Sequence, residues 1–149
     1  MAMNIASALL AEHGVFYAQF DYLERTLPTA SLEEIKLLGG MLESALEGHA
    51  DLEDDVLIAA VEERVGKEGV TAAMRDEHNE IRQLVSRLPY AKTADEAREI
   101  LLNIIEMARS HFAKEEEALF PLAEQVLPAD ESRRLADKWA EHRRVRIEA

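Results

Sequence analysis

A histidine followed four residues later by a glutamate occurs twice in this chain, in "HADLE" (His49 and Glu53) and in "HFAKE" (His111 and Glu115). On an α-helix such residues stand about 40° apart around the axis and one turn along it, so an imidazole nitrogen and a carboxylate oxygen can converge on one point. That donor pair suits a first-row metal cation. Two further histidines, His13 and His78, fall on lines of apolar residues with the same 3,4 spacing, so four of the five histidines read as inward-facing, one per helix. A lone histidine on such a face is commonly a core residue bonded to a neighbour. Four buried rings without partners would cost on the order of several kcal/mol together, and a metal centre at their meeting point satisfies all of them.

The punctuation of the chain supplies the rods that must carry these residues. Only 6 Gly and 4 Pro occur, which favours helix almost throughout. A first helix is expected over about 4–27, stopped by Pro28. Ser31 with Glu34 makes a capping box that opens a second helix running to about Val65. "GKEG" then breaks the chain, and a third helix runs from about Val70 to Leu88, ahead of Pro89. Thr93 with Glu96 repeats the capping box and opens a fourth helix to about Val126, with Pro121 expected to kink it or fray its end. Long helices with short connections pack as neighbours of alternating direction. The expected fold is therefore all-α: an antiparallel up-down-up-down four-helix bundle over about 4–127 with a short fifth C-terminal helix over about 129–147, forming a single domain across residues 1–149.

The inner lines place Ile5, Leu9, Phe16 and Phe20 with His13, and Leu42, Leu52 and Val56 with His49. They place Met74, Ile81 and Val85 with His78, and Ile104, Met107, Ala118 and Leu122 with His111. With about 1.5 Å rise per residue, His78 sits about 16 Å before the third turn and His111 about 27 Å after it, so "PYAKTA" must supply an offset. Gly39 and Gly40 are expected to allow close helix approach. Asp54 and Glu116, at i+5 from their histidines, point about 140° away and are expected at a boundary or in solvent.

Four imidazoles and two carboxylates exceed the needs of one tetrahedral zinc. If Glu53 and Glu115 bridge two cations and each cation takes two histidines, every cation has four protein donors and keeps an open position. Two ions joined by an oxo or hydroxo bridge would then reach five donors each, and mixed imidazole and carboxylate donors with open positions suit iron or manganese redox chemistry, with zinc as a further alternative. A Glu-x-x-His spacing, which marks ferritin-like di-iron bundles, is absent: Leu10, Leu46, Arg75 and Ala108 precede the histidines by three.

The strings "AEHGVF", "GHADLEDDV", "DEHNEI" and "HFAKEEEALFP", in that order, resemble the hemerythrin-like, or HHE cation-binding, family from about His13 to Pro121. The resemblance implies an antiparallel four-helix bundle around a non-haem di-iron site with His13, His49, Glu53, His78, His111 and Glu115 as ligands. It also implies binding or sensing of oxygen, nitric oxide or a peroxide, with peroxide or nitric oxide detoxification or iron–sulfur centre repair as the enzymatic alternative. Oxygen-carrying hemerythrins have a fifth histidine one turn after the ligand of the third helix. Here that position is Arg82, and Met74 lies one turn before His78. The exchange leaves the second metal open and disfavours a reversible carrier.

The net charge of −13, from 30 acidic and 17 basic residues, disfavours nucleic acid and anionic membrane as partners. Arg143, Arg144 and Arg146 are too few to reverse it and read as a solvated or internally paired helix end. With no cysteine, disulfides, thiolate ligands and a cysteine nucleophile are excluded. The N-terminal stretch carries no positive n-region, so a cytoplasmic location is expected. His142 is expected outside the site, and Tyr17, one turn after His13, in the core with its hydroxyl satisfied or supporting the site.

Overall fold

The computed structural model describes residues 3–148, and among them all regular structure is helical. Helix α1 spans Ile5–Thr26, with the Asn4 side chain accepting a hydrogen bond from the Ser7 N–H. Helix α2 spans Leu32–Leu52 behind the expected capping box: Ser31 accepts from the Glu34 N–H, and the Glu34 carboxylate accepts from the Ser31 N–H. Such a cap is worth about 1 kcal/mol. The rod continues without a break through a π-helical turn, Glu53–Ile58, into α3, Ala59–Val65. Gly66, at φ 88°, ends it in a conformation that side chains disfavour.

Helix α4 spans Val70–Val85. A 3₁₀ turn at Leu88–Tyr90 and extended backbone at Ala91 and Thr93 lead to α5, Ala94–Lys114. These residues supply the offset required of this connection. Thr93 caps α5 through the Glu96 N–H, but the Glu96 carboxylate accepts from the Lys92 N–H, one residue earlier than a capping box demands. This rod too runs on through a π-helical turn, Glu115–Leu119, into α6, Phe120–Val126. Helix α7, Ala129–Arg143, packs on α1.

The two π turns begin at Glu53 and Glu115, and each widens its rod by about one residue. That corrects the expected inner line of the fourth rod. Beyond the π turn Leu119 and Ala123 are buried beside Phe120, each one place after the expected Ala118 and Leu122, which are half-buried. Pro121 falls in the first turn of α6, directly after the π turn, and the helix runs on past it to Val126 rather than fraying there.

Each rod crosses two apolar clusters with its histidine between them. One contains Phe16, Phe20, Leu42, Ile81, Ile104 and Phe112. The other contains Ile5, Leu9, Val56, Met74, Leu119 and Phe120. Gly39 sits where α2 meets the Leu88 turn, and a Cβ there would lie 2.2 Å from Leu88 Cδ2, so the close approach expected at this position holds. Gly40 is exposed with nothing within 4 Å of a notional Cβ, so no helix approaches there, contrary to expectation. The reason is phase: adjacent helical residues face about 100° apart, and only Gly39 looks inward.

Candidate metal centre

The polar layer between the apolar clusters is built from six buried side chains. His13 comes from α1, His49 from the last turn of α2, His78 from α4 and His111 from the last turn of α5, while Glu53 and Glu115 open the two π turns. All six are at most 3% exposed. They form two overlapping groups, His13, His49, Glu53, Glu115 and Glu53, His78, His111, Glu115, and within each group one donor atom per residue lies within 4.8 Å of the others. Both glutamates belong to both groups.

The distances show how the carboxylates face the rings. His13 Nε2 lies 3.2 Å and His111 Nε2 3.3 Å from Glu115 Oε1. His49 Nε2 lies 3.3 Å from Glu53 Oε2, and His78 Nε2 lies 3.3 Å from Glu53 Oε1 and 3.8 Å from Glu115 Oε2. Each of these eight atoms, the four Nε2 and the four carboxylate oxygens, is buried without a hydrogen-bond partner. Buried polar atoms are almost always paired, so a concentration of orphans turned toward one another fits cations held between them.

The outward ring nitrogens form a second pattern, and this one is fully partnered. His49 Nδ1 faces Glu12 Oε1 at 2.7 Å, His78 Nδ1 faces Asp54 Oδ1 at 2.8 Å, His111 Nδ1 faces Glu77 Oε1 at 3.3 Å and His13 Nδ1 faces Glu116 Oε2 at 3.2 Å. The carboxylates run in a closed circle: α1 serves α2, the second rod serves α4, α4 serves α5, and the fourth rod serves α1. A carboxylate on Nδ1 fixes the tautomer that carries its proton there and leaves the Nε2 lone pair directed inward. Asp54 and Glu116 thus stand outside the inward cluster, as expected, but they are not simply at a boundary or in solvent. The π turns carry them against the rings of neighbouring rods.

Electrostatics divides the four rings. Burial disfavours charge on His49, but Glu12 and Glu53 beside it prevail and raise its pKa to about 9. His78 is likewise pushed up, against burial, by Asp54 and Glu53. Burial lowers His13 to about 4 with help from the His49 charge, and lowers His111 to about 4 with help from the His78 charge. Glu53 stays well below the ordinary carboxylate range because His49 and His78 overcome its burial. His49 therefore carries an extra proton near neutrality, and a cation entering its group must displace it.

A family model described as the hemerythrin HHE cation binding domain matches residues 4–123. The chain belongs to this family. Comparison with curated proteins and with solved structures gave no match. The hemerythrin family implies a metal cation, typically iron, and the buried histidine and glutamate groups fit one. In this hemerythrin-family chain Arg82, one turn after His78, stays outside the inward cluster: it donates to Asp51 Oδ1 at 2.8 Å and lies 3.6 Å from Asp54 Oδ2. Met74 is buried in the second apolar cluster.

His142 is exposed, donates its Nδ1–H to the Lys138 carbonyl and belongs to neither inward group, as expected. The Tyr17 hydroxyl is satisfied by Glu116 Oε2 at 2.5 Å, so this tyrosine supports the carboxylate that faces His13. Sequence reasoning missed Glu12 and Glu77. The available signal was local: each immediately precedes a clustered histidine, in "EH" pairs at 12–13 and 77–78, while each bonds the histidine of a different rod.

Proposed function

We propose that the chain is a di-iron protein on an antiparallel up-down-up-down bundle, with a fifth helix added, and that it binds or senses a small ligand such as oxygen or nitric oxide. His13 and His49 would hold one cation, and His78 and His111 the other, with Glu53 and Glu115 available to both groups. The observation that carries this reading is the set of eight inward-facing, unpartnered ring and carboxylate atoms, shared out so that both glutamates serve both groups. The direction of the rods is supported by the order of the clusters: α1 and α4 pass from the Ile5–Met74 cluster to the Phe20–Ile81 cluster, and the two rods that carry π turns pass the other way.

Two iron ions, when bound, supply redox chemistry and open coordination positions. The protein supplies access and selection. A cavity of about 150 Å³ reaches His49, His78 and His111 between walls formed by Leu46, Ile81 and Phe112, with Arg82 on its lining. Its size admits a diatomic molecule or a peroxide, and its lining joins apolar walls to the charged side chains of Glu43, Glu47 and Arg82. The circle of outward carboxylates holds the rings in place and keeps their protons on Nδ1.

The alternative, an enzyme that removes peroxide or nitric oxide or repairs iron–sulfur centres, is favoured by Arg82. No fifth imidazole closes either half, so both keep room for a reacting ligand. Elemental analysis of the purified protein, with absorption spectra before and after oxygen and nitric oxide, tests the first reading. A reversible spectral change with no consumption of the ligand supports binding, and multiple turnovers of peroxide or nitric oxide support the enzyme. The proposal places the protein in the cytoplasm, which cell fractionation checks; no helix among the described residues is long and apolar enough to cross a membrane.

A further inference from the structure

Of the four carboxylates that face the outward ring nitrogens, Glu12 is held differently from the rest. Asp54 is approached by Arg75 and Arg82 of α4, Glu116 by Tyr17 of α1, and Glu77 by Lys114 of α5. All of those residues lie within the matched family stretch, 4–123. Glu12 alone is gripped by α7, which lies beyond it. The Trp139 indole N–H donates to Glu12 Oε2 at 2.9 Å, and the Arg143 guanidinium donates from Nε to Oε2 at 2.5 Å and from Nη2 to Oε1 at 3.1 Å. Arg143 also donates to the carbonyl of Gly48, the residue before His49, at 3.3 Å. Oε1 of the same carboxylate faces His49 Nδ1 at 2.7 Å.

We propose that Trp139 and Arg143 are positioning residues for the His13–His49 half of the centre, acting through Glu12, so that α7 completes a cation site the family domain alone leaves half supported. The inference rests on the reading of the inward cluster as a cation site. A carboxylate held by three N–H groups has one orientation, and that orientation aims Oε1 at His49. Released from α7, Glu12 is free to turn into solvent, and His49 loses the partner that keeps its proton on Nδ1 and its Nε2 directed inward. Loss of such a carboxylate partner typically weakens metal affinity 10- to 100-fold. The buried residues of α7 are Leu135, Ala136 and Ala140, and the Trp139 ring packs against the same apolar cluster as Leu135, so its packing has to be separated from its N–H in the test.

The test is titration of the metal-free full chain with cobalt(II), followed by calorimetry, in the wild type and in variants. Glu12→Gln identifies the binding step that belongs to His13 and His49, and Glu77→Gln identifies the step that belongs to His78 and His111. The combined variant Trp139→Phe with Arg143→Met keeps the ring that packs and removes all three donated N–H groups. It is expected to weaken the Glu12 step at least tenfold while changing the Glu77 step less than threefold. Restoring Arg143 in the Trp139→Phe background should recover most of the loss, since the guanidinium makes two of the three bonds. Unchanged affinity at both steps overturns the inference, and so does equal weakening of both, which is what general loosening of the fold produces. Absence of any cobalt binding in the wild type overturns the cation reading itself, a distinct result.

Discussion

At the scale of single residues, the centre separates side chains that face the cluster from those that face its rings. Glu115 and Glu116 are neighbours in sequence, yet Glu115 has both oxygens orphaned inside while Glu116 accepts from Tyr17 and faces His13 Nδ1. Glu115→Ala and His111→Ala are therefore expected to remove most of the bound metal, read by elemental analysis after dialysis. Glu116→Gln is expected to retain metal at saturation and to lower affinity 10- to 100-fold, read by chelator competition. Equal metal loss from both glutamate variants would contradict the division. His142→Ala is expected to leave metal content unchanged, since its ring bonds only the Lys138 carbonyl. The six inward residues were legible because ligand spacing and apolar periodicity coincide at them. Glu12 and Glu77 were not, because each serves a histidine on another rod, 37 and 34 residues away in sequence, whereas the local "EH" pairs put each beside a histidine it does not bond.

At the scale of the helices, capping residues and prolines announced nearly every boundary. Ser31 and Thr93 cap the helices they were expected to cap. The π turns were not announced, because their cause is not local. Each begins at a glutamate that is drawn into the cluster, and the widened turn presents Glu53 and Glu115 inward while the next acidic residue meets a neighbouring ring. The shift to Leu119 and Ala123 is the trace this leaves in the core. The adjacent glycines of α2 give a test of helix packing. Gly39→Ala is expected to destabilise the protein by about 1–3 kcal/mol, because the new methyl meets the buried Leu88 side chain at 2.2 Å. Gly40→Ala is expected to stabilise it by about 0.5–1 kcal/mol, because the site is open and alanine is the better helix former. Urea unfolding of the two variants measures both, and a destabilising Gly40→Ala would contradict the assigned helix faces.

At the scale of the whole molecule, two apolar clusters enclose one charged layer, and the layer makes the fold depend on pH and on metal. In the metal-free protein His49 is raised from 6.5 to about 9, so its contribution is fully present below about pH 6.5 and is lost as pH rises through 9. It is on the order of 3 kcal/mol. His13 is lowered from 6.5 to about 4, so its contribution is present above about pH 6.5 and is lost as pH falls through 4. The metal-free protein is accordingly expected to be most stable near pH 6.5 and to weaken on both sides, and the loaded protein to lose the alkaline decline because the cation has already displaced the Nε2 proton of His49. Urea midpoints between pH 4 and 9, with and without metal, check this. The same protons must leave on loading, so metal affinity should fall as pH is lowered from 9.

The most direct measurement is the iron content of the purified chain, paired with its thermal midpoint before and after chelation. Two ions per chain, with a midpoint that drops when they are removed and returns when they are restored, is the expected result. A chain that holds no stoichiometric metal under saturating iron, and that melts at the same temperature with or without it, would contradict the account at its centre.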